Sequence, residues 1–196
     1  MIPVVSLQTS QFSSGGRGRR HSIRLLVVVM LAALVTPAAA QAPKVPACAD
    51  RPVFGWLDFW VGDWRVLVGT KQVGTNRIRK VLDGCAVTEE WTDARGGTGR
   101  SLFYVSPGTG LWRQVWVTNT ALAPGGVKEK RFIARDPDGG VRFQGEIVAE
   151  GVVVLDRTTL RPLPDGRVRQ TIERSNDGGA TWTTGFDAIY VRTEAK

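Results

Sequence analysis

Between Asp58 and Tyr190 short runs of alternating apolar and polar residues follow one another, separated by turns rich in Gly, Pro and Asp. Alternation with period two sends successive side chains to opposite faces of a strand. The pattern predicts strands at Trp64–Val68, Gly74–Val81, Cys85–Thr92, Arg100–Val105, Trp112–Thr118, Glu129–Arg135, Val141–Ala149, Val152–Leu160, Arg167–Arg174 and Thr181–Arg192. The connections Asp83-Gly84, Ser106-Pro107-Gly108-Thr109-Gly110, Asp136-Pro137-Asp138-Gly139-Gly140 and Pro164-Asp165-Gly166 supply positive φ or a preset Pro bend, so they read as hairpins. Links this short leave no room for crossover helices, and the sheet is expected to be antiparallel throughout. A meander of this kind hides its edges most simply by curling on itself, which predicts an all-β, up-and-down barrel of about ten strands. Just upstream, Phe54, Leu57, Trp60 and Val61 fall at helical spacing and predict a short N-terminal helical plug at one end of it.

The first forty residues change the charge picture. Arg17, Arg19, Arg20 and Arg24 precede an apolar run from Leu25 to Val35 and then Pro37-Ala38-Ala39-Ala40. The run is too short for a membrane span, which takes about 20 apolar residues, and small residues stand where a signal peptidase cuts. Residues 1–40 therefore read as a signal peptide cleaved after about Ala40, residues 41–52 as an N-terminal arm, and residues 53–196 as a single domain. A periplasmic or secreted location follows, with no membrane span in the mature chain. The whole chain carries 26 basic and 18 acidic residues, but four of the basic ones and the single histidine lie in the leader, leaving 22 against 18, a net of +4. Scattered cations of that number give no nucleic-acid footprint. Cys48 and Cys85 are the only cysteines, and an oxidising compartment favours a disulfide between them.

The loss of the only histidine removes Ser-His-Asp hydrolysis, Cys-His thiol catalysis and His-ligated metals from the mature chain. No Walker-type loop and no calcium loop is present either, so no cofactor, no metal and no catalytic residue is assigned. What remains is a set of side chains suited to a cavity wall. Trp112, Gln114 and Trp116 share one face of a strand, and two rings beside an amide suit a lumen, whereas Val115 and Val117 facing inward is the alternative. Glu89 and Glu90 take opposite faces, so at most one enters the barrel. Glu90 with Arg157 as its partner is a polar anchor for a ligand or a structural buried ion pair. With Trp64, Trp91 and Gln170 these make up the expected ligand-binding set: Trp64, Glu90, Trp91, Trp112, Gln114, Trp116, Arg157 and Gln170.

Ser175-Asn176-Asp177-Gly178-Gly179-Ala180-Thr181-Trp182 matches the Asp-box, Ser-x-Asp-x-Gly-x-Thr-Trp, which in this single copy reads as a hairpin-fixing device. Taken with Phe59-Trp60-Val61-Gly62-Asp63-Trp64, Leu82-Asp83-Gly84-Cys85, Glu90-Trp91 and Trp112-x-Gln114-x-Trp116, it makes the chain from Pro52 to Arg192 resemble an uncharacterised bacterial secreted family, a domain of unknown function with a calycin-like (lipocalin-like) β-barrel. The resemblance implies an internal cavity and carries no established reaction. Gly62-Asp63-Trp64 is also similar to the Gly-x-Trp element that opens fatty-acid-binding proteins and haem-binding nitrobindins, but the late proximal histidine of the latter is missing. The expected function is binding of a small, mostly apolar or amphipathic molecule in the barrel cavity. The alternatives are a carboxylate- and Tyr-dependent hydrolase or isomerase in the same cavity, or an envelope interaction module without a ligand.

Overall fold

The computed structural model describes residues 47–149 and 151–193. The expected signal peptide and the start of the arm lie outside them. Ten strands follow in order: β1 (Gly62–Val68), β2 (Lys71–Val81), β3 (Ala86–Asp93), β4 (Thr98–Val105), β5 (Trp112–Thr118), β6 (Val127–Arg135), β7 (Val141–Ala149), β8 (Val152–Pro162), β9 (Val168–Ser175) and β10 (Thr183–Arg192). Each is antiparallel to its sequence neighbours, and β1 pairs with β10 as well as β2, closing an up-and-down barrel. Closure turns the sequence alternation into an inside and an outside.

Register stacks the inward side chains in layers. At the end where the odd-numbered strands begin and the even-numbered strands finish, Trp64, Ile78, Val87, Phe103, Trp112, Phe143, Leu160, Val168 and Tyr190 form a continuous buried cluster. Three short 3-10 turns precede β1, at Cys48–Asp50, Pro52–Gly55 and Asp58–Trp60. Their period of three, rather than the 3.6 of an α-helix, sets Phe54, Leu57 and Trp60 on one side, and all three are buried in that same cluster. Edge-on aromatic contacts join the layers: Trp60 meets Phe103 at 5.5 Å and Tyr190 at 6.3 Å between ring centres, and Phe54 meets Trp112 at 5.9 Å. Outside, Lys80 of β2 pairs with Asp58 at 2.7 Å.

Two local devices fix the chain. Cys48 and Cys85 form a disulfide that ties the first 3-10 turn to the β2–β3 connection. That connection carries Leu82 and Asp83 at φ 53° and 52° before Gly84, so the expected Asp83-Gly84 turn starts one residue earlier, on a leucine. The Asp-box holds the β9–β10 hairpin: Asp177 accepts from the Thr181 amide at 2.9 Å and its hydroxyl at 2.6 Å, and Ser175 accepts from the Gly179 amide at 2.8 Å. These bonds to the ionised form, the Thr181 hydroxyl first, hold the Asp177 carboxyl well below the usual range. Among the described residues no helix is long and apolar enough to cross a membrane.

Candidate functional site

Above the packed layer the lumen opens into a cavity of about 180 Å³. Its wall toward the open end is apolar: Trp91 from β3, Trp116 from β5, Ile172 from β9 and Phe186 from β10. Its floor is polar, made by Glu89, Gln114, Lys130, Thr158, Gln170 and the phenol end of Tyr190, with Lys128 to one side. The two indoles owe their position to missing side chains on neighbouring strands. A β-carbon on Gly74 of β2 would overlap the Trp91 ring, and one on Gly99 of β4 would overlap the Trp116 ring. Neither glycine has positive φ, so what each supplies here is room for a ring to lie against the barrel wall.

The floor is a directional hydrogen-bond network centred on Glu89, which is 5% exposed. Its carboxylate accepts from Asn76 Nδ2 at 2.7 Å and from the Ser101 hydroxyl at 2.7 Å. Ser101 has then given its only proton, so it accepts from Gln114 Nε2 at 3.1 Å, and this leaves Gln114 Oε1 buried without a partner. On the other side Asn76 also donates to the Tyr190 hydroxyl at 3.2 Å, and Tyr190 donates to Gln170 Oε1 at 2.5 Å, which leaves Gln170 Nε2 free of that chain. Burial raises the Glu89 carboxyl above its ordinary range, against the pull of the Asn76 and Ser101 bonds. Burial, then the Glu89 charge, lifts the Tyr190 phenol far above the range where it would ionise, so it works as a hydrogen-bonding group.

Opposite lies a second cluster. Lys130 of β6, with its side chain 2% exposed, donates to Asp156 of β8 and to the Thr158 hydroxyl at 2.6 Å. Lys128 reaches the other Asp156 oxygen at 3.0 Å, and Arg174 stands 3.7 Å from it. Burial lowers the Lys130 ammonium to about 8, against the attraction of Asp156. Burial alone would raise Asp156, but Lys130 and Lys128 outweigh it and hold the carboxyl below its usual range.

Of the eight side chains expected to bind a ligand, four line this cavity: Trp91, Gln114, Trp116 and Gln170. The Trp112-Gln114-Trp116 face is therefore the inward one. Trp112 itself sits a layer lower, in the packed base, with its indole donating to the Val53 carbonyl at 2.8 Å. Trp64 is likewise a base residue, bonded to the Trp60 carbonyl at 2.8 Å and covered by the Arg192 guanidinium. Glu90 is corrected to the outer face, where it stands 3.9 Å from Arg77 and from Arg100, because the alternation that carries Trp91 inward carries Glu90 out. Arg157 is also an outer-face residue, paired with Glu173 at 3.1 Å and stacked 3.8 Å above the Trp182 ring. No Glu90–Arg157 pair forms. The sequence reading missed Glu89, Lys130, Asp156, Thr158 and Tyr190.

Among the described residues no cluster of three or more His, Cys, Asp or Glu side chains is placed to hold a metal ion. Chemically the site offers two flat apolar surfaces, a set of paired charges and two unmet buried acceptors, Gln114 Oε1 on a side chain that lines the cavity and Asn76 Oδ1 on one that does not. Comparison with protein-family models finds no match for this chain, and none of the curated proteins matches it.

Proposed function

We propose that this protein is a calycin-like binding barrel, closed at its base by the N-terminal 3-10 turns, that holds a small amphipathic molecule in its lumen and works in an oxidising compartment outside the cytoplasm. The observation that carries the reading is the cavity of about 180 Å³ set between an apolar wall and a polar floor in an otherwise packed barrel. A void of about 150 Å³ accommodates benzene, whereas pockets for drug-sized molecules run to about 300–1,000 Å³. The expected guest is thus about one ring in size, with its apolar side on Trp91, Trp116, Ile172 and Phe186 and its polar side on the floor. A long acyl chain does not fit inside. The Cys48–Cys85 disulfide supports the compartment, as does the leader-like segment at residues 1–40.

The reading is tested on protein purified from an envelope extract without denaturation. Native mass spectrometry is expected to show a companion of roughly ring size that solvent extraction removes, and tryptophan emission is expected to change as it leaves, because Trp91 and Trp116 form the wall. Failure of every one-ring compound in a broad panel to alter that emission saturably, together with an empty spectrum, would overturn it.

A further inference from the structure

The floor of the lumen has a fixed polarity. Ser101 points its proton at Glu89 and therefore accepts from the amide nitrogen of Gln114. The consequence falls on Gln114 Oε1, a buried acceptor with no partner, on a side chain that is 8% exposed and lines the cavity. A buried carbonyl left unmet has lost its bond to water without replacement, so a guest that supplies a donor there recovers that loss and one without a donor does not. On the other branch Tyr190 occupies Gln170 Oε1, and the Gln170 amide nitrogen is the donor left on that side.

Charge narrows the class further. The lining carries the ammonium groups of Lys128 and Lys130 and the carboxyl of Glu89, with Asp156 behind the lysines as their counter-ion, so charges of both signs border the cavity and an ion of either sign meets a like charge. The shape is set by Gly74 and Gly99, which let the Trp91 and Trp116 rings lie back against the wall.

We propose that the guest is a flat, uncharged ring bearing an O–H or N–H donor, seated on the indoles of Trp91 and Trp116 with that donor on Gln114 Oε1. This rests on the ligand-binding reading above and specifies which molecules it favours.

The test compares phenol with toluene by calorimetric titration of the full mature protein at one pH near neutral. The two have the same shape, and toluene leaves water more readily, so a featureless apolar hole prefers toluene. Phenol is expected to bind about ten-fold more tightly instead, from one net hydrogen bond. Aniline should follow phenol, and fluorobenzene should follow toluene. Gln114→Met should abolish the preference while toluene still binds, the retained toluene affinity showing that the variant is folded. Saturable toluene binding as tight as or tighter than phenol in the unaltered protein would overturn the donor rule and leave the binding barrel standing. If neither compound saturates, the binding reading itself falls, and this inference with it.

Discussion

Replacing Asp156 by Asn keeps the side chain's size and removes one charge from the centre of the barrel. Asp156 is fully buried and is the shared counter-ion of Lys130 and Lys128, whose side chains are 2% and 13% exposed. Its loss leaves two ammonium groups facing each other with little water to screen them. Breaking a buried pair from one side costs about 3–5 kcal/mol, a large share of the 5–15 kcal/mol that typically holds a domain together. With a urea slope of about 2 kcal/mol per molar, the unfolding midpoint should fall by roughly 1.5–2.5 M. Lys130→Met should cost less, because Asp156 retains Lys128 at 3.0 Å and Arg174 at 3.7 Å. In that background Asp156→Asn should lose about 2 kcal/mol of its effect. The pH dependence gives an independent readout. Lys130 titrates at about 8 in the folded protein against 10.5 ordinarily, so between those values the unfolded chain binds more protons and stability rises with pH. In Asp156→Asn the Lys130 ammonium has lost its partner and its proton leaves more easily, so the rise should begin below pH 8. An Asp156→Asn midpoint within about 1 kcal/mol of the unaltered protein, or parallel pH profiles for the two, would refute the reasoning.

Three further outcomes follow from other parts of the barrel. Opening the Cys48–Cys85 disulfide, which spans 37 residues, should lower stability by about 4 kcal/mol, read as the difference in urea midpoint with and without reductant; a loss under about 1 kcal/mol would show that the N-terminal turns hold without it. Glu89→Gln should match or exceed the parent in stability at neutral pH. The folded carboxyl is raised above 4.5, so its stabilising contribution is complete at low pH and is lost as pH rises through the folded value, and the variant should gain on the parent over that interval. Equal pH profiles from pH 4.5 upward would sink this. Gly99→Ala should drive the Trp116 ring off the wall into the lumen, costing about 1–3 kcal/mol and abolishing saturable phenol binding, whereas unchanged affinity would mean the ring has somewhere else to go.

The period-two pattern carried most of the fold. Strands at Val141–Ala149 and Trp112–Thr118 stand where the alternation puts them, and the turn glycines fall where the chain reverses. The short turns before β1 were legible as apolar spacing but not as 3-10 geometry, because Phe54, Leu57 and Trp60 fit a period of three and the start of one of 3.6 equally well. Inside and outside were harder. Glu90 and Trp91 are adjacent and cannot both face the lumen, so an inward Trp91 already implied Glu89. In the same way Val154, Asp156, Thr158 and Leu160 share a face whose apolar members mark it as inward, which sends Arg157 out and brings a buried aspartate in. Depth along the barrel was less legible. Trp112 and Trp116 lie four residues apart on β5 and so at different heights, but only the stagger between strands decides that Trp64 shares the base with Trp112 while Trp91 shares the cavity wall with Trp116.

That stagger explains why a void exists at this height. The base is filled by the rings of Trp64, Phe103, Trp112, Phe143 and Tyr190 together with Ile78, Val87, Leu160 and Val168, assisted by Phe54, Leu57 and Trp60 from outside the sheet. One layer up, most of the inward side chains are polar and buried, namely Asn76, Glu89, Ser101, Gln114, Lys130, Asp156, Thr158 and Gln170, while Gly145 opposite Lys130 and Ala188 opposite Gln170 add little volume. Such side chains must spend their length reaching one another, around the wall from Asn76 to Glu89 to Ser101 to Gln114 and from Lys130 to Asp156 and Thr158, and groups tied along the wall cannot fill the middle. The layer above, with Trp91 and Trp116 lying back over Gly74 and Gly99, does not fill it either. An apolar layer of similar volume would be as stable or more so, because buried ion pairs rarely recover their desolvation. The polar ring therefore costs stability that the empty barrel does not regain, and a guest that meets Gln114 Oε1 restores part of it.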